Sequence, residues 1–395
     1  MPRAGPFTGL LYDHPMAGPP SAVTAPPYDT ISPIDQDRYH RSSPYNVVRL
    51  ILGKDEPGDD ETRNRYTRAA LHLRSWRDRG MLRPTDRPAV YPYRFQFHLG
   101  GRDRVVRGVI AEVELEPWGG SIVPHERTMP GPVEDRLRLL REVQANLSPV
   151  YGVFPGPSAP LRSFFDGVMA EPPQIEVTDT AGTRHSLWVT PDGADVVTQA
   201  LRGETLLIAD GHHRYTVALA YREEMRARFG PGPWDAIMML LVDGGAEDPP
   251  VLPIHRLVVA GEVDPSHTGE RVRDMAEVLA SVDDDQLVYG IVRVEDGDLV
   301  HRVARLDGTP PTVCAIHEAV LDRHESVRLR FVPDAAAVEQ AVASAAATVG
   351  FLLPPTNVER VRRVVQHGGV LPQKSTYFWP KPRTGLVLRA FEPVD

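Results

Sequence analysis

Leu206-Leu207-Ile208-Ala209-Asp210-Gly211-His212-His213-Arg214-Tyr215 is the stretch whose reading orders the rest of the chain. The apolar run Leu206 to Ala209 reads as a short buried strand, and Asp210-Gly211 is a turn dipeptide. From Arg214 to Arg228 the spacing of Val217, Tyr221 and Met225 predicts a helix. Strand, tight turn and helix start together aim backbone N–H groups and the positive end of a helix dipole at one spot, which suits an anion. His212, His213 and Arg214 add side-chain donors there. The same residues also read as a polar turn whose histidines pack or face water.

Outward from this turn the chain alternates strands and helices irregularly. The Pro- and Gly-rich first twenty residues read as a surface segment. Asp35 to His40 begins a helical stretch, Val47 to Leu52 reads as a strand, and Glu61 to Arg79 as an amphipathic helix. Tyr91 to Phe97 and Val105 to Leu115 form a predicted hairpin through Gly100-Gly101. A helix opening near Pro132 carries Leu137, Leu140 and Val143 on one face. Further hairpins are expected at Ile175 to Thr190 and Leu287 to Leu306, turning at Ala181-Gly182 and Asp296-Gly297. Ala236 to Val242 has the continuous apolar pattern of a buried strand. Asp334 to Val349 reads as an alanine-rich helix, and Asn357 to Gln366 as another closed by Gly368-Gly369. This mixture of hairpins and helices fits an α+β (mixed α/β) fold better than a doubly wound sheet. Three regions are expected: 1–155, 156–260 around the turn, and 261–395.

At 395 residues the chain exceeds one ordinary core. A net charge of −9 argues against nucleic acid as a partner, though not against a local phosphate site. Cys314 is the one cysteine, so there is no intrachain disulfide and no cysteine zinc cluster. No signal peptide and no membrane-length apolar run is read, and a cytoplasmic protein without a membrane partner is expected. Arginine far outnumbers lysine, which reads as genomic bias.

Three further segments concentrate polar groups. Pro124-His125-Glu126-Arg127-Thr128 sets an imidazole, a carboxylate, a guanidinium and a hydroxyl side by side, with Glu126 placed for a base or metal-ligand role, or simply a solvated loop. Gln373-Lys374-Ser375-Thr376 can hold a phosphate but lacks the glycine cradle of a P-loop, so an exposed loop is the plainer reading. Ala25-Pro26-Pro27-Tyr28-Asp29 and Ser43-Pro44-Tyr45-Asn46-Val47-Val48-Arg49 carry tyrosines that stack a base or cover the core. The chain has no HExxH, no G-x-S-x-G elbow and no G-x-G-x-x-G after a strand.

Taken in order, APPYDTIS, SPYNVVRLILG, VPHERTMPGPVEDRLRLL, ANLSPVYGVF, IADGHHRYTVALAY, LPIHRLV and LPQKSTYFWPKPRTGL resemble the domain family of unknown function catalogued as DUF 1015, from about residue 7 to 390. Ser43 and Val133 depart from its pattern, where asparagine and lysine are expected. Separately, the Asp-Gly-His-His-Arg turn is similar to the phosphate-binding turn of the ParB/sulfiredoxin-like superfamily, whose free-serine kinases use a similar turn for phosphoryl transfer. That likeness implies a ParB/sulfiredoxin-like core with several hairpins and a further α+β region. It also implies ATP and Mg²⁺ as cofactors, with a small hydroxylated acceptor such as free L-serine. On this expectation Gly211 lets the backbone approach the phosphates, with Arg214, Arg127, Thr128, Lys374, Ser375 and Thr376 as further nucleotide contacts. Glu126, Asp210, His212 and His213 are the catalytic candidates, and Asp210 and Glu126 the metal candidates. Tyr28, Asn46, Arg49 and Arg136 are the candidates for the substrate. A non-catalytic nucleotide-binding regulator, and a phosphatase or lyase acting on a phosphorylated metabolite, are the alternatives. A homodimer is allowed.

Overall fold

The computed structural model describes residues 1–126, 130–263, 269–309, 311–323 and 326–391. The fold is α+β. Contacts divide the chain into two compact units, one of 1–124, 128–248 and 380–395, the other of 125–127 and 249–379. Residues 380–391 thus return to the first unit, which linear reading into three regions has no means to register.

The first unit is built on a nine-stranded mixed sheet. Its path runs Ile122–Val123, Leu206–Asp210, Val150–Phe154, Ala236–Asp243, Arg102–Glu114, Tyr91–Leu99, Arg184–Leu187, Ile175–Thr178, with Ala4–Gly5 beside Arg102–Glu114. Ala236–Asp243 pairs in parallel with Val150–Phe154 and antiparallel with Arg102–Glu114. Its seven residues from Ile237 on are buried, as a strand covered on both faces requires. Leu206 and Ile208 of the turn-bearing strand pack with Tyr215 and Ala218 of the following helix, His212–Phe229. Asn64 caps the helix Arg65–Asp78 in a capping box with Thr67.

Two expectations fail in this unit. Val47 to Leu52 is not a strand: Val48–Ile51 is a short helix, with Val48, Leu50 and Ile51 buried. A short apolar run carries no period that separates strand from buried helix. The first twenty residues are no surface segment either. Phe7, Leu10 and Tyr12 are buried, and Leu10–Tyr12 pairs with Leu82–Pro84. The apolar residues between the prolines and glycines bury themselves there.

The second unit holds a six-stranded antiparallel sheet, in the order Glu270–Val272, Asp298–Arg305, Val288–Glu295, Val349–Leu352, His255–Ala260, Arg328–Val332. Helices Met275–Ser281 and Ala335–Ala343 bury Val278, Val338 and Val342 with Leu257, Val292 and Leu352. A Cβ on Gly350 would lie 2.2 Å from Val338 Cγ1, so glycine sets how closely helix and strand approach. The hairpins at Gly100-Gly101, Ala181-Gly182 and Asp296-Gly297 all form as expected.

Candidate functional site

In the first unit the strand ends at Asp210, and Gly211 takes a left-handed conformation with φ 95°. Helix His212–Phe229 then begins from Gly211 at its N-cap, which has no side chain of its own to cap it. A side chain at position 211 would be strained at that φ, and its Cβ would lie 3.0 Å from the Arg214 guanidinium. Arg214 folds back over the turn, donating to Asp210 Oδ2 and to the Pro149 carbonyl, each at 2.5 Å. Tyr215 fixes the helix start by donating to the Glu116 carbonyl and accepting from the Glu116 amide. His212 is buried and His213 half-buried.

Asp210 is shared. Its Oδ1 lies 2.7 Å from the Lys381 ammonium, which also donates to Asp29 Oδ2 at 2.8 Å. The Lys381 side chain is 11% exposed. Burial alone would lower its pKa, but Asp210 and then Asp29 more than reverse this and raise it, so the ammonium stays charged. Asp29, Asp210, Lys381 and Arg214 together carry no net charge.

Next in sequence to Asp29, the Tyr28 ring carries the Arg136 guanidinium at 4.2 Å. Burial, with Asp29 adding to it, raises the Tyr28 pKa. Tyr28 and Arg136 form the wall common to two openings. One, of 70 Å³, is lined also by Ser148 and Arg214. The other, of 390 Å³, is lined also by Arg65, Tyr66, Asp135 and Leu139. Only the second reaches the size of a small-molecule pocket, roughly 300 Å³ or more. Tyr66 and Arg65 both donate to Asp135 Oδ1, each at 2.8 Å.

Asn46 and Arg49 line neither opening. Asn46 is fully buried, donating to the Ala22 and Thr24 carbonyls and accepting from the Val48 amide. Arg49 donates to the carbonyls of His40 and Ser43 at the end of helix Pro33–Ser42. Arg127 and Thr128 lie outside the described residues.

Glu126, Lys374, Ser375 and Thr376 belong to the second unit, where they form one motif. Lys374 has φ 54°, and the amides of Lys374, Ser375 and Thr376 all donate to the Glu126 carboxylate at 3.0–3.1 Å. The Thr376 hydroxyl adds a fourth bond at 3.1 Å, and the His125 ring lies 2.6 Å from it. Arg256, fully buried, donates to the carbonyls of Lys374 and Gln373. Burial lowers the Arg256 pKa to about 10, against the opposing pull of Glu126. Successive amides converging on one anion make a nest. The sequence lacks the glycine cradle, yet the backbone builds an anion site, and Glu126 occupies it.

The metal expectation does not fit these residues. Among the described residues no group of three His, Cys, Asp or Glu could hold an ion. Asp210 is held by an ammonium and a guanidinium, and Glu126 by three amides.

Sequence reading passed over Lys381. The signal was present in composition: the chain has 44 Lys and Arg together, and lysine stands only at positions 54, 374 and 381. Between the two carboxylates lysine presents a compact point charge rather than a planar fork.

A family model described as "Protein of unknown function (DUF1015)" matches residues 5–345. The chain belongs to the DUF1015 family. No curated protein matches this DUF1015 chain. Similar solved structures include a free serine kinase in complex with AMP, at 13% identity and TM-score 0.37, covering 68% of this chain and 86% of that one. A conserved hypothetical protein from Pyrococcus furiosus, also at 13% identity and TM-score 0.37, covers 71% and 95%. SbnI with a C-terminal truncation, from Staphylococcus aureus, stands at 10% identity and TM-score 0.35, covering 69% and 84%. No helix among the described residues is long and apolar enough to cross a membrane.

Proposed function

We propose that this DUF1015 protein is a small-molecule kinase that transfers a phosphoryl group from ATP to a hydroxylated amino acid such as free L-serine. The observation that carries this reading is the turn at Asp210–Arg214. A left-handed glycine, with no side chain of its own, stands at the helix N-cap there, and an arginine folds over the turn. Phosphoryl transfer needs mainly positioning and neutralisation of phosphate charge. The helix N-terminus, Arg214 and the histidines supply both. The acceptor oxygen bonds to the γ-phosphorus, the bond from that phosphorus to the bridging oxygen breaks, and ADP leaves with the electron pair. His213, half-buried on the first helical turn, takes the hydroxyl proton as an imidazole base of the site. Magnesium enters only as the counter-ion the nucleotide brings, and no step runs through a protein-held metal.

The test is phosphorus NMR of the protein with ATP and L-serine. His213→Ala and Arg214→Ala should lower turnover about 100-fold or more while thermal melts remain cooperative. Equal turnover by wild type and both folded variants rejects the reading. One observation favours the nucleotide-binding regulator instead: Asp210 and Glu126, the two carboxylates expected to do chemistry, are both committed to internal partners. Calorimetric nucleotide binding without acceptor-dependent turnover would select that alternative.

A further inference from the structure

We infer that Lys381 is the resident cation of the Asp29–Asp210 carboxylate pair, holding the place that a divalent metal ion would otherwise take. The two aspartates come from distant parts of the chain, one at the tyrosine-bearing turn after Pro27 and one at the end of the central strand Leu206–Asp210. Their side chains are 25% and 14% exposed, and they converge on one ammonium at 2.8 and 2.7 Å. Two carboxylates converging on one point are the donor chemistry of hard divalent cations.

The charges that these contacts bring together favour the ammonium. Asp29 and Asp210 are balanced by Lys381 and Arg214. A divalent ion added beside Lys381 and Arg214 would set further positive charge against them in a largely buried site, which repulsion and desolvation oppose. Without the lysine the cluster carries one net negative charge and an open gap between two carboxylates. The Lys381 chain is delivered firmly: two residues on, Arg383 donates to Thr24 Oγ1 at 2.6 Å, and Thr384 pairs with Ala25. The ammonium is therefore built in, and it orients Asp210 against Arg214 without a metal cofactor.

The inference rests on this geometry and not on the kinase reading. If wild type turns over no nucleotide, the proposed function fails and the inference stands. Its test is Mn²⁺ titration of the whole protein, read by electron paramagnetic resonance in the absence of nucleotide. Wild type should show no Mn²⁺ site that is lost in Asp29→Asn. Lys381→Ala should gain one, and Asp29→Asn in that background should remove it. Lys381→Gln, which keeps the stem of the side chain, serves if the alanine variant does not fold. A wild-type Mn²⁺ site that disappears in Asp29→Asn overturns the inference. So does a folded Lys381 variant that gains no site.

Discussion

Lys381 and Glu126 are single residues that fill ion positions with the protein's own charge. Their environments are opposite: an ammonium between two carboxylates, and a carboxylate on three amides. The two differ in how they read from sequence. Glu126 stands in a visibly polar segment, and only its role was open. Lys381 sits between Pro380 and Pro382 after an aromatic run, and no local pattern announces that its ammonium is buried. The long-range partners that bury it, Asp29 and Asp210, are not a sequence-local property. At this scale Glu126→Gln separates scaffold from chemistry. An amide can present only one oxygen to the nest and turns an N–H toward the donor on its other side. The substitution should destabilise the protein by about 1–3 kcal/mol in urea unfolding, with any activity falling only in step with the folded fraction. Unchanged stability with turnover lost would make Glu126 a catalytic group.

Elements were legible where they carry their own signal. The hairpins Val288–Arg305 and Ile175–Leu187 announce themselves by flanking strands and a turn dipeptide. The strand–turn–helix of Leu206 to Phe229 did so by its break in pattern. The C-terminal segment 383–391 did not, because its partners are scattered over the first unit. Arg383 bonds Thr24, Leu388 bridges Leu10, and Arg389–Ala390 pairs with Ala145–Asn146. Arg389 is its anchor, 5% exposed and bonded to Glu112 and to the Pro233 and Ala236 carbonyls. Arg389→Met keeps the stem but leaves Glu112 and those carbonyls without their donor. Breaking a buried pair costs about 3–5 kcal/mol, and because Glu112 is 31% exposed the loss should fall at the low end. A urea midpoint within error of wild type would show that the segment is held without Arg389.

Across the whole molecule, histidines tie stability to mild acid. Burial lowers the pKa of His185 in the first unit, and of His255 and His317 in the second. His255 falls from 6.5 to about 4, by burial and then by the neighbouring Arg256, with Asp334 opposing. Its Nδ1 accepts the Leu353 amide at 3.1 Å, a bond that only the neutral ring with that nitrogen bare can make. A folded-state pKa below the unfolded one means that the unfolded chain binds more protons between the two values. Stability from this group is therefore complete above the unfolded value of 6.5 and is lost as pH falls toward 4. A shift of that size corresponds to about 3 kcal/mol for His255 when the window has been crossed. Carboxylates held low titrate beneath this window, as Glu295 does at about 2 through its bonds to Arg302 and Arg293. The urea midpoint should thus fall between about pH 7.5 and about pH 5, well before carboxylate protonation contributes. His255→Gln keeps a side-chain oxygen to accept the Leu353 amide and has no titration in that range. It should flatten part of the fall. A wild-type midpoint that stays level over the same range would mean that these rings protonate as readily folded as unfolded, and that their burial does not govern the acid response.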